Sequence, residues 1–343
     1  MKLNIDQIRA VCQGAVRIEE KAEGVHFYRF TEKQEELYRL RSSALYEKAL
    51  STAGIKLCFE TDSTSLFLKV NVTPGSSRSY FSIDVMVNGE CAGHLDNFAE
   101  EEMPAAYTTV SCPMGEFSKD FSLGQGMKEV CIYLPWSVVP ELREICLDDG
   151  ACVKPVRTEK KLLAFGDSIT HGYDALRPSN RYIAKLAAKL GAEEVNKAIG
   201  GERFFPALAE TKEPFSPDYI TVAYGTNDWS GIELSEFREN CRAFYGALAC
   251  NYPQAKIFAI TPIWRKDNNL PRNCGEFTQI AKEIKAATKD YANIVCVEGY
   301  DFVPHEESYF ADLRLHPNDA GFEYYAQNLW EQIKGRKTNQ IMG

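Results

Sequence analysis

The sequence predicts a two-part protein. An all-β jelly-roll sandwich is expected over residues 1–155, and a flavodoxin-like three-layer α/β/α domain over 156–343. Three observations carry this reading. The chain has 343 residues, more than one hydrophobic core usually serves. Its first half offers short, partly alternating apolar segments separated by polar turns. Near residue 158 the period changes, and apolar runs begin to alternate with amphipathic helical stretches, as in a parallel sheet with crossover helices.

In the first half, strands are expected at 55–60 (IKLCFE), 66–72 (LFLKVNV), 80–87 (YFSIDVMV) and 129–134 (EVCIYL). β-branched and aromatic residues fill them, and turns such as TPGSSRS at 73–79 set them apart. Asn88-Gly89 is a hairpin signal, because both central residues of the favoured two-residue turn need positive φ. Residues 32–52 read as helical or irregular. In the second half, strands are expected at 162–165, 194–199, 219–224, 257–260 and 294–297, and helices at 180–190, 234–251, 275–291 and 319–333. Sheets of this kind bind ligands beyond the carboxyl ends of their strands. That is where chemistry is to be sought.

Composition excludes several classes of function. The chain is 45% hydrophobic and 25% charged, as an ordinary globular protein is. A net charge of −9 repels polyanions, so no nucleic-acid partner is expected. No window approaches the ~20 apolar residues that span a bilayer. Charges at Asp6, Arg9 and Arg17 interrupt the first 24 residues, so no leader and no membrane partner are expected, and the reading is cytoplasmic. The eleven cysteines are scattered, several within apolar runs (Cys58, Cys131, Cys296), with no Cys-x-x-Cys pair. They are expected to be reduced core thiols, with no metal and no cofactor.

The strand ends of the second half are more specific. The first runs into Gly166-Asp167-Ser168-Ile169-Thr170, which differs from the Gly-x-Ser-x-Gly elbow by Thr170. A serine on such a turn lifts its hydroxyl clear of the sheet; Asp and Ser equally serve as plain helix caps. The second strand leads to Gly200-Gly201, where backbone can approach a ligand closely. The third ends in Gly225-Thr226-Asn227-Asp228, whose amide could donate a hydrogen bond. Near the C-terminus stands Asp312-Leu313-Arg314-Leu315-His316-Pro317. Pro317 keeps His316 out of a helix interior, on a loop from which a base can lean over the sheet. Of five histidines, only His316 has such surroundings, with His305 the nearest rival.

Four such blocks in this order resemble the SGNH (GDSL-type) hydrolases, over roughly residues 158–335. The resemblance implies Ser168 as nucleophile and His316 as base. It also implies an oxyanion hole from the Ser168 and Gly201 N–H groups and the Asn227 amide, with Gly201 preferred to Gly200. The family spaces its acid as Asp-x-x-His, whereas here Leu313 takes that place. Asp312 must reach the imidazole by a bulge, or else a backbone carbonyl orients His316 in a Ser–His dyad. FETDSTS at 59–65, IDVMVNGE at 83–90, YLPWSVVPEL at 133–142 and THGYDALRPS at 170–179 are similar to two-domain carbohydrate esterases with a jelly-roll front domain. That implies hydrolysis of short acyl, notably acetyl, esters on a sugar or oligosaccharide. Tyr173, Arg203, Trp229 and Trp264 follow strand-end motifs and are the expected cleft lining. An acyltransferase using the same serine and a non-catalytic carbohydrate-binding protein are the alternatives, and the oligomeric state is left open.

Overall fold

The computed structural model describes residues 1–335. The chain divides into two compact units. One comprises Met1–Glu159 with Leu176–Ser179 and Glu193–Asn196; the other comprises Lys160–Ala175, Asn180–Ala192 and the chain from Lys197 onward.

The first unit holds two antiparallel sheets. One orders its strands Cys12–Gln13, Lys56–Thr61, Lys128–Tyr133, Ser82–Val87 and Glu90–Asp96, with Lys154–Pro155 pairing onto Lys56–Thr61. The other orders Arg17–Lys21, Gly24–Tyr28, Val138–Leu147, Ser65–Pro74 and Gly115–Ser122. Both sheets contribute to one core. Leu66, Leu68, Val70 and Val72 alternate inward from one sheet, and Leu57, Phe59, Ile83, Val85, Val130 and Ile132 from the other. Asn88 (φ 51°) and Gly89 (φ 83°) form the tight turn between Ser82–Val87 and Glu90–Asp96. Residues 32–52 fold as helices Glu32–Arg41 and Ser43–Ala49; a capping box of Thr31 and Gln34 starts the first.

Besides the two-residue strands Cys12–Gln13 and Lys154–Pro155, three regions of strand were not expected from sequence. Gly115–Ser122 reads as polar because it lies at a sheet edge and fully buries only Phe121. Val138–Leu147 contains Pro140, ordinarily a strand breaker, and carries a register irregularity at Leu142/Glu144. Arg17–Lys21 and Gly24–Tyr28 form a hairpin whose first strand is almost wholly polar.

The cysteine expectation needs correction. Cys58 and Cys131 are register partners on neighbouring strands, with Cα atoms 4.3 Å apart, and are joined as a disulfide. An apolar run conceals which face a residue takes. Leu57 and Phe59 occupy the core side, so Cys58 and Cys131 meet on the other. Nor are all the free thiols buried, since Cys91 and Cys250 are exposed.

A five-stranded sheet is ordered Ala192–Asn196, Lys160–Gly166, Tyr219–Ala223, Lys256–Ile260 and Ile294–Val297; the last four strands pair in parallel and belong to the second unit. This is the 2-1-3-4-5 order of a doubly wound sheet. Leu162, Ala164, Phe258 and Ile260 pack with helices Tyr182–Leu190 and Asp319–Lys334. Phe165 points the other way, edge-on to Phe244 of helix Leu234–Asn251. The sheet is therefore covered on both faces. The second strand ends at Asn196, short of the expected 199. Ladder-like bonds from Lys197 N–H to the Ala164 carbonyl (2.7 Å) and from Ile199 N–H to the Gly166 carbonyl (3.1 Å) continue beyond it. Among the described residues no helix is long and apolar enough to cross a membrane.

Candidate active site

Strand Lys160–Gly166 turns directly into a short helix, Ser168–His171. Asp167 caps it, its carboxylate accepting the Ile169 N–H at 3.0 Å, and Gly172 ends it at φ 113°. The elbow is tight at its first residue. A Cβ on Gly166 would meet Thr170 Oγ1 at 2.2 Å. Thr170, which occupies the position of the usual second glycine, turns its hydroxyl to Tyr182 Oη at 2.7 Å. Its side chain fills the space above Gly166, so both identities follow from one contact.

Ser168 Oγ lies 2.8 Å from His316 Nε2. The opposite ring nitrogen, Nδ1, is 3.0 Å from Asp312 Oδ2. Three spacer residues separate Asp312 from His316, and the loop absorbs the extra one at Leu313, which adopts φ 55°. Asp312 Oδ1 collects the N–H groups of Arg314 (2.9 Å), Leu315 (2.6 Å) and His316 (3.1 Å). One carboxylate thus folds the loop with one oxygen and meets the imidazole with the other. Burial pushes its pKa up. The His316 hydrogen bond and charge, with the Leu315 and His316 N–H groups, outweigh that and hold it well below the usual carboxylate range. Phe310 and Pro317 bridge across the base of the loop, and Asn318 caps the final helix through the Gly321 N–H.

Sequence reasoning missed a second carboxylate. Asp174 Oδ2 lies 3.3 Å from His316 Nδ1, and Asp174 is fully buried. Its signal was its φ of 72° just after the elbow, which no residue pattern announces.

The glycine loop follows the second strand. Gly200 donates its N–H to His171 Nδ1 at 3.2 Å, and a Cβ there would strike the Tyr173 ring at 2.4 Å. Gly201 sits at φ 85° and is exposed; among the described residues its N–H meets no acceptor. Asn227 donates one amide proton to the Glu202 carbonyl at 2.9 Å, which ties the third strand end to this loop. Asp228 strengthens the tie by accepting the Phe204 N–H at 3.1 Å. Ser168, Gly201 and Asn227 therefore stand on three adjacent strand-end loops, each braced by its neighbours.

A model of the GDSL-like Lipase/Acylhydrolase family matches residues 164–324. The chain carries a GDSL-like lipase/acylhydrolase domain. Solved structures share the fold over nearly the whole length. A salicylyl-acyltransferase, SsfX3, from a tetracycline biosynthetic pathway superposes with a TM-score of 0.77 at 19% identity, covering 96% of each chain. A Bacteroides ovatus structure described as a GDSL-like lipase gives 0.75 at 18%, over 98% of this chain and 97% of that one. A family two carbohydrate esterase from Clostridium thermocellum, in complex with cellohexaose, gives 0.64 at 15%, over 95% and 99%. Among curated proteins no significant match to the sequence was found.

Around the centre of this acylhydrolase domain, the expected cleft lining needs revision. Trp229 is fully buried, donates Nε1–H to the Gly275 carbonyl at 2.8 Å, and packs under the Arg265 guanidinium. It is core, because the helix Thr226–Gly231 turns its ring inward against Phe277. Tyr173 is 3% exposed and lies between Gly200 and the His316 ring, 5.9 Å from the latter's centroid; it shapes the wall from behind. Arg203 is half-buried and donates to the Gly231 carbonyl at 2.9 Å. Trp264 is half-buried and stacks on His305, ring centroids 5.3 Å apart.

Two buried acids lie beneath the loops. Burial pushes the Asp167 carboxyl up to about 6, against the pull of the Ile169 N–H and His316. Burial likewise pushes Asp228 up to about 7, against the Phe204 N–H, and the nearby Asp167 charge adds to the rise. One Asp228 oxygen holds a loop, while the other meets no hydrogen-bond partner among the described residues.

Proposed function

We propose that the protein is a serine esterase that removes short acyl groups, acetyl above all, from a carbohydrate through an acyl-Ser168 intermediate. The observation that carries this reading is the Ser168 Oγ–His316 Nε2 distance of 2.8 Å, with Asp312 on the far ring nitrogen. His316 takes the Ser168 proton as Oγ attacks the ester carbonyl. The N–H groups of Ser168 and Gly201 and the second Asn227 amide proton then receive the oxyanion. His316 passes the proton to the departing alcohol, and water releases the acyl group by the same steps in reverse. Asp312 keeps the imidazole in the tautomer that this needs.

The sugar assignment rests on the likeness to the cellohexaose-bound esterase, which extends over 95% of this chain, the first unit's two antiparallel sheets being read here as a jelly roll. A second reading keeps the same acyl-Ser168 but delivers the acyl group to an acceptor alcohol. The likeness to the salicylyl-acyltransferase favours it.

The test is p-nitrophenol release from p-nitrophenyl acetate by wild type and by Ser168→Ala, both checked for folding. Wild-type turnover lost in the variant supports the esterase. Equal background rates for both proteins would sink it. Partition of the acyl group between water and an added sugar then separates hydrolysis from transfer.

A further inference from the structure

The hairpin of strands Ser82–Val87 and Glu90–Asp96 contains one irregularity. Val85 pairs with Gly93, but Met86 pairs with Cys91, so Ala92 is an extra residue. In a regular strand, residues three apart face opposite sides of the sheet. The extra residue resets the alternation and brings Cys91 and His94 to one side, the re-aiming for which bulges are known. Cys91 Sγ lies 3.3 Å from His94 Nε2. His94 Nδ1 lies 2.9 Å from Oδ1 of Asp84, its direct cross-strand partner.

The carboxylate is built in. Asp84 is fully buried and accepts hydrogen bonds from Ser82 Oγ (2.7 Å), Ser179 N–H (2.9 Å) and Ser179 Oγ (2.6 Å). Burial pushes its pKa up, but these bonds and His94 outweigh that and hold it below the usual carboxylate range. The sulfur at the other end is exposed. It opens on a concave groove of about 460 Å³ that Asn88, Ser122, Leu123 and Gly124 also line. Glu90 lines the same groove, Lys119 donates to the His94 carbonyl at 2.7 Å, and Arg177, itself paired with Asp96, donates to Ser82 Oγ at 3.0 Å. Since the two ring nitrogens point to different partners, the three groups do not converge on a metal ion.

We propose that Cys91, His94 and Asp84 form a second nucleophilic centre, which accepts an acyl group from a small thioester entering this groove. His94 Nε2 takes the thiol proton while Cys91 Sγ bonds to the carbonyl carbon. The donor's C–S bond breaks, and the proton passes from His94 to the departing thiolate. The products are a free thiol and an acyl-Cys91 thioester, with no change of oxidation state. A thioester donor fits because one thioester replaces another; an oxygen ester would have to yield a less stable bond. Asp84 orients the ring, as the third member of a nucleophile–base–carboxylate relay does.

The experiment uses the full chain with S-acetyl-N-acetylcysteamine at neutral pH, followed by peptide mass mapping. Cys250 is also exposed and serves as the internal reference. Acetylation of Cys91 is expected ~10-fold or more faster than of Cys250, reversible by neutral hydroxylamine. Alkylation by iodoacetamide should follow the same order. Mapping separates acetyl on Cys91 from acetyl on Ser168. In His94→Gln the Cys91-to-Cys250 ratio should drop toward one. Equal wild-type rates at the two cysteines overturn the proposal without any variant. Rapid alkylation with no selective acetylation overturns the thioester assignment, and a ratio unchanged in His94→Gln overturns the part given to His94.

Discussion

His316 Nδ1 faces two carboxylates at once, Asp312 Oδ2 at 3.0 Å and Asp174 Oδ2 at 3.3 Å. They come from different loops. Asp312 reaches back along its own turn, and Asp174 follows the helix Ser168–His171. With two carboxyl groups within reach of Nδ1, the ring can keep its orientation when one of them is removed.

Single substitutions should therefore cost less than in a triad with one acid, where losing the acid costs ~10⁴ in turnover. Asp312→Asn preserves an acceptor for the Arg314, Leu315 and His316 N–H groups and is expected to lower kcat by ~10–10². Asp174→Asn should do about the same, and the double variant should approach ~10⁴. Steady-state kinetics of the three variants on p-nitrophenyl acetate decide the matter. A full loss in Asp312→Asn alone would assign the whole task to Asp312.

Leu313 gives access to the loop itself. At φ 55° a side chain is tolerated at some cost, and a β-branched one fits poorly. Leu313→Val should displace Asp312, lowering kcat and costing ~1–2 kcal/mol in urea unfolding. Leu313→Gly should keep kcat within about threefold, because glycine takes this conformation freely. If valine were harmless, the positive φ would not be what lets Asp312 reach His316.

The loops proposed to hold the oxyanion invite a contrast. Asn227→Ala should reduce kcat by ~10²–10³ with KM little changed, as loss of a donor used only in the transition state does. Gly200→Ala drives a Cβ to 2.4 Å from the Tyr173 ring. It should cost ~1–3 kcal/mol of stability and move the Gly201 N–H, so melting temperature and kcat fall together. A rise in KM alone in Asn227→Ala would speak for ground-state binding.

Much of this was legible in the sequence because it rests on local signals. The apolar runs and amphipathic stretches fixed the second unit's strands and helices, with 234–251 and 294–297 as expected. Ser168, Gly201 and Asn227 follow strand ends and His316 stands on the loop before the last helix, places where residue type and order are informative. What escaped was face and distance. Trp229 follows a strand-end motif, but helix rotation sends it into the core. Asp174 meets His316 only through a backbone conformation. Cys58 and Cys131 are 73 residues apart, and only the pairing of their strands brings them together. Gly115–Ser122, polar on its open side, has no apolar rhythm to read.

Asp228 supplies a prediction about pH. In the folded protein its carboxyl keeps its proton up to about 7, whereas the ordinary value is 3.8. Between those values the native state binds more protons than the unfolded chain, so unfolding free energy falls as pH rises through that window. Asp228→Asn cannot ionise and keeps an acceptor for the Phe204 N–H. The stability of Asp228→Asn relative to wild type should accordingly rise between pH 4 and pH 8, by on the order of 2–4 kcal/mol. Urea unfolding of both proteins at pH 4, 6 and 8 measures it. A difference that stays flat over this range would mean that Asp228 ionises as an exposed aspartate does, and that burial does not govern its charge.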